Sequence, residues 1–225
     1  MLEINNIAKS YKKGAEEYIA LDDVTLKIDK GEYIAVSGAS GAGKSTLLYV
    51  VGGLINPDKG EVLYNGTDIY KENGRFSGRY RKKHIGFMFQ QFHLMPYLTV
   101  LENIKLACNN KLLPGSIDNY LEKCSLSGLK NKFPSELSVG EKQRTAFIRA
   151  IISDPEILLA DEPTGNLDPE NSYMLMLLID NFHKNGGTVL LVSHDPLATK
   201  YAGRNITLEK GRIISDNLRR IPVFS

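Results

Sequence analysis

Residues 38–46 read Gly-Ala-Ser-Gly-Ala-Gly-Lys-Ser-Thr and match the pattern G-x-x-x-x-G-K-[ST] of a phosphate-binding loop, or P-loop. The glycines permit backbone conformations that residues with side chains resist, so consecutive N–H groups can face phosphate oxygens. Lys44 supplies a positive charge for the β- and γ-phosphates of a nucleotide, and the Ser45 hydroxyl is placed to bind Mg²⁺. The predicted nucleotide-binding surface consists of Gly38, Ala39, Ser40, Gly41, Ala42, Gly43, Lys44, Ser45 and Thr46.

The residues on either side of this loop predict a strand before it and a helix after it. Residues 33–37 form a short β-favouring run, and residues 45–51 indicate a helix that ends at Gly52-Gly53. A P-loop between a strand and a helix can bind phosphate at the helix N-terminus. We therefore favour a P-loop over the alternative, a glycine-rich turn with an exposed lysine.

Composition is ordinary for a soluble globular protein. The 225 residues are 42% hydrophobic and 24% charged, and a net charge of +2 does not provide the basic surface of a nucleic-acid-binding protein. We expect no nucleic-acid partner. Two cysteines without a CxxC motif favour a reducing compartment, and the N-terminus does not resemble a signal peptide. The apolar runs near 47–55 and 174–179 are too short to cross a bilayer.

Periodicity divides the chain into a β-rich start, a helical middle and an α/β end. The predicted strands are residues 2–7, 19–28, 32–37, 85–89, 157–160 and 188–193, with a hairpin at Asn65-Gly66. The further predicted helices are residues 100–107, 117–124, 139–153 and 171–184. A helical block of about 55 residues thus interrupts an α/β nucleotide-binding fold.

Two acidic residues follow a predicted buried strand. Residues 157–160 are Ile-Leu-Leu-Ala, and Asp161 and Glu162 come directly after them. Ligands of open α/β sheets bind at the carboxyl ends of the strands. Asp161 is therefore placed to hold Mg²⁺, and Glu162 to orient and deprotonate an attacking water. The P-loop earlier in the chain weakens the alternative, a solvated acidic turn.

The run Leu137-Ser138-Val139-Gly140-Glu141 contains the S-x-x-E spacing of a capping box, which starts a helix. A helix N-terminus is also an anion-binding position, and free N–H groups near Gly140 can meet a γ-phosphate. The run resembles the LSGGQ signature of ATP-binding cassette (ABC) ATPases, with Val139 and Glu141 in place of Gly and Gln. The resemblance implies that Ser138 and Gly140 contact phosphate.

The rest of the chain resembles the same family nearly end to end. The resemblance implies that Gln90 is the Q-loop glutamine, which reaches Mg²⁺ and senses a transmembrane partner, with Gln91 as the less favoured register. It implies a D-loop at the dimer interface that includes Asp168, and a switch histidine, His194, that contacts the γ-phosphate.

The resemblance also implies how adenine is held. Tyr11 resembles the aromatic residue that stacks on adenine, and Tyr18 is its competitor for that role. Residues 131–134 lack an aspartate that would read a guanine edge, so ATP is the expected nucleotide.

The implied fold is an α/β P-loop NTPase core with an N-terminal antiparallel β subdomain and an inserted helical subdomain. A single ABC ATPase domain would occupy residues 1–225. Residues 1–96 and 156–225 would form the core, and residues 97–155 the helical signature subdomain.

The implied activity is Mg²⁺-dependent ATP hydrolysis, with Lys44, Glu162 and His194 as catalytic residues. Two chains, as a homodimer or a pseudo-symmetric pair, would close over two ATP molecules, each held between Lys44 of one chain and Ser138 of the other. The dimer would drive a separate integral-membrane permease from the cytoplasm, as a peripheral subunit on the inner face of the cell membrane.

Within the family, residues 87–103 and 160–168 look most like the lipoprotein-release, macrolide-export, antimicrobial-peptide-resistance and cell-division group. This favours export or membrane extraction, and the alternative is an ATPase that powers a non-transport membrane process. An ABC ATPase of DNA repair would need a long coiled-coil insertion between P-loop and signature, which is missing here. A P-loop kinase or GTPase predicts neither residues 137–141 nor His194.

Overall fold

The computed structural model describes residues 1–14, 16–71, 75–108 and 115–218. Two sheets dominate this part of the chain. The first sheet contains strands β1 (Leu2–Lys13), β2 (Glu16–Ile28), β4 (Lys59–Tyr64) and β5 (Thr67–Asp68). It is antiparallel, in the order β2-β1-β4-β5.

The second sheet contains strands β3 (Tyr33–Ser37), β6 (Ile85–Met88), β7 (Ile157–Asp161), β8 (Thr188–Val192), β9 (Arg204–Glu209) and β10 (Arg212–Leu218). Their order is β10-β9-β3-β8-β7-β6, and only the pairing of β9 with β10 is antiparallel. The carboxyl ends of β3, β8 and β7 therefore lie side by side at one edge of the sheet.

The described helices are α1 (Lys44–Val51), α2 (Arg75–His84), α3 (Val100–Lys105), α4 (Ser116–Lys123), α5 (Val139–Ile151), α6 (Pro169–Lys184) and α7 (Pro196–Tyr201).

Side chains alternate across a strand, so each face of the second sheet has its own core. Ile34 and Val36 pack with α1 and the first sheet, whereas Ala35 packs with α5 and α6. No helix in the described ranges is long and apolar enough to cross a membrane.

The predicted fold class is confirmed: an α/β core carries an antiparallel sheet and a set of helices between β6 and β7. The hairpin predicted at Asn65-Gly66 is also confirmed. The two residues join β4 to β5 with φ values of 49° and 78°, as a tight turn between paired strands requires. The division into residues 1–96, 97–155 and 156–225 stays a prediction.

Two features of the sheets differ from the sequence-based expectation. Strands β1 and β2 extend beyond the predicted limits and pair as far as Lys13 and Glu16. Lys12, Glu16 and Glu17, near their distal ends, are exposed and polar, so no hydrophobic alternation marks these ends. The β9–β10 hairpin was not predicted, although Lys210-Gly211 carries a turn signal, with φ values of 47° and 79°.

Candidate active site

The P-loop connects the carboxyl end of β3 to the start of α1. Gly38 and Gly43 have φ values of 149° and 102°, which residues with side chains rarely adopt. A Cβ atom at Gly38 would lie 2.2 Å from the Leu208 carbonyl oxygen, and one at Gly43 would lie 2.0 Å from that of Ala20. The glycines thus serve close backbone packing as well as the conformation of the loop.

A cavity of about 610 Å³ lies over this loop. Eight of the nine predicted P-loop positions line it; Ala42 is buried instead, and its carbonyl accepts a hydrogen bond from the Gly211 N–H. The other residues of the wall are Tyr18, Ala20, Gln90, Glu162 and His194. The fold therefore brings the predicted P-loop, Q-loop, carboxylate and histidine residues to one cavity.

The Lys44 side chain is held in place by hydrogen bonds to the P-loop backbone. Its Nζ donates hydrogen bonds to the carbonyl oxygens of Gly38, at 2.9 Å, and Ala39, at 3.0 Å, and the residue is only 9% exposed. An ammonium group has three donors, so one remains for a phosphate oxygen while two keep the side chain in place. The lysine is thus a preorganised point charge at the cavity wall.

Asp161 ends β7 as a buried carboxylate, 1% exposed, that faces α1. Ser45 Oγ donates to its Oδ1 at 2.9 Å, and the Tyr49 hydroxyl donates to its Oδ2 at 2.9 Å. Burial raises the pKa of Asp161, while these two hydrogen bonds act in the opposite direction. Hydroxyl and carboxylate oxygens are the ligands that Mg²⁺ prefers, so Ser45 and Asp161 fit this ion.

Tyr49 was missed at the sequence level because no motif covers it. It follows Ser45 by four residues, so both side chains lie on the same face of α1. Burial raises the pKa of Tyr49, and so does its hydrogen bond to Asp161. The hydroxyl therefore stays protonated and donates.

Glu162 and His194 meet because β7 and β8 are parallel neighbours, with Asp161 paired to Val192. His194 Nδ1 lies 2.9 Å from Glu162 Oε2, while the Glu162 N–H donates to the Val192 carbonyl at 2.8 Å. Glu162 has a φ of 45°, unusual for a residue with a long side chain. Such backbone conformations cluster at active sites, and this one turns the carboxylate toward the cavity.

Ser138, Gly140 and Asp168 do not line this cavity. The predicted capping box is confirmed: the Ser138 N–H donates to Glu141 Oε2 at 2.7 Å, and the Glu141 N–H donates to Ser138 Oγ at 3.3 Å. Asp168 caps α6 through the Asn171 N–H, at 2.9 Å. Within one chain, the signature run therefore stands apart from the P-loop.

The resemblance favours Tyr11 as the adenine-stacking residue, but the structure places Tyr18, and not Tyr11, at the cavity wall. Tyr11 and Tyr18 are cross-strand partners on β1 and β2, but Tyr18 lines the cavity and its hydroxyl donates to the Gly41 carbonyl. Tyr11 is not in that wall, and the Lys9 ammonium lies 5.8 Å from its ring centroid. Which ring stacks on adenine stays a prediction.

A P-loop, a buried carboxylate beside the loop serine and a glutamate–histidine pair, all at one edge of a mainly parallel sheet, define a P-loop nucleoside triphosphatase. Residues 21–165 match the family described as ABC transporter, which is more than half of the chain. The chain belongs to the ABC transporter family, and it is an ABC ATPase that binds ATP.

Relatives of two lengths support the family. The chain is 38% identical over 221 residues to YvrO of Bacillus subtilis, an uncharacterized ABC transporter ATP-binding protein, and the match covers 96% of both. It is 37% identical over 224 residues to the macrolide export ATP-binding/permease protein MacB of Chlorobaculum tepidum, covering 98% of this chain. The match covers only 34% of MacB, so the chain spans about a third of that protein.

A solved structure matches nearly the whole chain. It is a dimeric structure of a post-hydrolysis state of the ATP-binding cassette MJ0796 bound to ADP and Pi. The TM-score is 0.91 and the sequence identity 34%, and the match covers 98% of this chain and 100% of the other.

Proposed function

We propose that this chain is the ATP-hydrolysing subunit of a transporter, and that two copies close over two ATP molecules to drive an integral-membrane permease. The observation that carries the proposal is the separation of two phosphate-binding elements in one chain. Lys44 and the P-loop line the cavity, whereas Ser138 and Gly140 lie outside it. A second copy can bring its own signature run to this cavity, and the dimeric state described for MJ0796 supports that arrangement.

Within the closed site, each group has a separate role. Lys44 and the P-loop N–H groups hold the β- and γ-phosphates. Mg²⁺, held by Ser45 and Asp161 with Gln90 nearby, would neutralise charge on the phosphate oxygens. Adenine would rest on the ring of Tyr11 or on that of Tyr18, its cross-strand neighbour at the cavity wall.

Glu162 orients the attacking water and accepts its proton as the water oxygen bonds to the γ-phosphorus and the bond to ADP breaks. His194 fixes the Glu162 carboxylate through the 2.9 Å contact, and the His194 N–H adds a weaker bond of 3.4 Å. Asp168 stands at the start of α6, where a partner chain would cross. These roles for the site residues are part of the proposal.

A groove of about 530 Å³ between β6 and α5 is the proposed contact surface for the permease. Its wall includes Phe89, the neighbour of Gln90, and Leu106, which is 60% exposed. Arg149 on α5 donates to the carbonyl oxygens of Phe92, at 2.7 Å, and His93, at 2.6 Å. A permease segment in this groove would therefore touch the segment that carries Gln90 into the nucleotide cavity.

The relatives named as export ATP-binding/permease proteins favour export as the process that is driven. The subunit would then sit as a peripheral protein on the cytoplasmic face of the membrane.

Replacing Glu162 by Gln tests the proposed function. The variant should bind ATP and then accumulate as a dimer, because the closed state forms while the proton acceptor is missing. Light scattering with ATP and with ADP measures the dimer, and phosphate release measures turnover. Glu3→Gln, exposed on β1 and outside the nucleotide cavity, is the matched control and should behave as wild type. A Glu162→Gln protein that stays monomeric and hydrolyses ATP at the normal rate contradicts the proposal.

A further inference from the structure

The two oxygens of the Asp161 carboxylate are held separately by two hydroxyl groups of α1. Ser45 Oγ donates to Oδ1 and the Tyr49 hydroxyl donates to Oδ2, both at 2.9 Å. Rotation of the carboxylate in either direction breaks one of these bonds. Because each carboxylate oxygen has further lone pairs, both bonds are compatible with a cation on Oδ1.

Aromatic packing fixes the position of the Tyr49 hydroxyl. The Tyr49 ring centroid lies 5.7 Å from that of Phe87 and 6.3 Å from that of Phe89. Phe87 and Phe89 are themselves stacked at 4.3 Å. Distances in this range are those of favourable aromatic pairs, so the ring has little freedom to swing the hydroxyl away from Asp161.

Tyr49 does not line the nucleotide cavity. The nucleotide cavity is lined by Ser45 and Thr46 of α1, but not by Tyr49. The residue therefore acts through Asp161 and not by touching nucleotide. Hydrogen-bonded partners of a metal-binding carboxylate set its orientation and its affinity for the metal.

We propose that Tyr49 is a positioning residue that holds Asp161 in the orientation required to bind the Mg²⁺ that accompanies ATP. This inference rests on the proposed role of Asp161 as a magnesium ligand. It predicts a selective defect: loss of the Tyr49 hydroxyl weakens the response to Mg²⁺ and leaves metal-free nucleotide binding intact.

The test replaces Tyr49 by Phe, which keeps the ring and removes only the hydroxyl. Calorimetry measures binding of the non-hydrolysable analogue AMP-PNP at a series of Mg²⁺ concentrations and in EDTA. The Mg²⁺ midpoint is the Mg²⁺ concentration at which half of the full gain in AMP-PNP affinity is reached. It should rise about 10-fold, in line with other changes in hydrogen-bonded partners of metal ligands, while the AMP-PNP affinity in EDTA stays at the wild-type value. If Tyr49 had only a structural role, Tyr49→Phe would lower the AMP-PNP affinity both with Mg²⁺ and in EDTA, or would change neither.

Tyr70→Phe is the matched control. The Tyr70 hydroxyl also has its acceptors within the fold: it lies 2.5 Å from the Val50 carbonyl oxygen and 2.7 Å from that of Ile55, and its single hydrogen is shared between them and not with Asp161. This variant should keep the wild-type Mg²⁺ midpoint. Phe87→Leu, which loosens the packing of the Tyr49 ring and keeps its hydroxyl, should raise the midpoint by less than Tyr49→Phe.

Asp161→Asn separates the two ways in which the experiment can fail. If Asp161→Asn shifts the Mg²⁺ midpoint and Tyr49→Phe does not, the role of Tyr49 is wrong and the proposed metal site survives. If Asp161→Asn leaves the midpoint unchanged, the metal role of Asp161 is wrong, and the inference about Tyr49 is overturned with it.

Discussion

Lys44 combines two duties in one side chain, because its ammonium group both closes the P-loop and faces the cavity. Its bonds to the Gly38 and Ala39 carbonyls keep those oxygens from turning toward an anionic ligand. A loop of carbonyl oxygens would repel phosphate, whereas N–H groups attract it. In the proposed site the lysine would therefore contribute to phosphate binding through the shape of the loop as well as through its charge.

Lys44→Ala should weaken ATP binding about 100-fold, since hydrogen bonds to charged groups contribute about 1.5–3 kcal/mol each. Calorimetry with ATP and Mg²⁺ measures the affinity. Lys184→Ala is the control: it removes a lysine that pairs with Asp180 at 2.7 Å near the end of α6, outside the nucleotide cavity, and should leave the affinity unchanged. Equal affinities for Lys44→Ala and wild type would exclude the P-loop as the phosphate site.

Single residues also show how far the sequence could predict the site. Asp161, Glu162 and His194 could be placed together because each follows a predicted strand, and parallel strands bring their carboxyl ends to one edge. The bond from Tyr49 to Asp161 could not be predicted with the same tools. It depends on the rotation of α1 about its axis against β7, which is set by packing and not by any local pattern.

At the scale of elements, the start of α5 is fixed to the start of α6 by one asparagine. Asn171 Oδ1 accepts a hydrogen bond from Arg144 at 2.6 Å, and its Nδ2 donates to Asp168 Oδ2 at 2.7 Å. A Cβ atom at Gly140 would lie 2.2 Å from Asn171 Oδ1. Gly140, the one glycine in residues 137–141, thus permits a helix contact, a requirement that the sequence pattern alone did not reveal.

Gly140→Ala should lower the free energy of unfolding by about 1–3 kcal/mol, because the added methyl group displaces Asn171 from a packed position. Gly78→Ala, in the interior of α2 with open space around it, should instead raise that free energy by about 0.5–1 kcal/mol. Urea unfolding measures both. In an Asn171→Ala background the cost of Gly140→Ala should shrink, and an unchanged cost would refute the contact with Asn171 as its cause.

The β9–β10 hairpin shows why elements near the end of the chain were harder to predict than the P-loop unit. Alternating residues of β9, such as Ile206 and Leu208, are buried, but the polar residues between them give a short and weak pattern. Leu208 nevertheless shapes the site, because its carbonyl oxygen approaches Gly38. Strand β9, far along the chain, thus leaves no room for a side chain at Gly38 of the P-loop.

For the whole molecule, the question is whether one chain or two make the complete site. Ser138 caps α5 outside the cavity, so a composite site requires Ser138 of one chain and Lys44 of the other. In a symmetric dimer of this kind each chain contributes both halves, once to each of two equivalent sites. Two variants with defects in opposite halves should therefore complement each other.

Lys44→Ala and Ser138→Arg should each abolish most ATP hydrolysis when tested alone. Mixed in equal amounts, they should recover about one quarter of wild-type phosphate release, because random pairing makes half of the dimers mixed and one of the two sites in each is intact.

Thr99→Arg controls for the loss of a helix cap in Ser138→Arg. Thr99 caps α3 through a capping box of the same kind, and the Thr99→Arg variant should hydrolyse ATP when tested alone. With Glu162→Gln added to both chains, the mixed dimer should trap one ATP through gel filtration. Neither parent should trap any, because Lys44→Ala lacks the binding lysine and Ser138→Arg binds ATP only at an open P-loop that releases it. A mixture that releases no more phosphate and traps no more ATP than its parents would show that Ser138 does not act on the P-loop of a second chain.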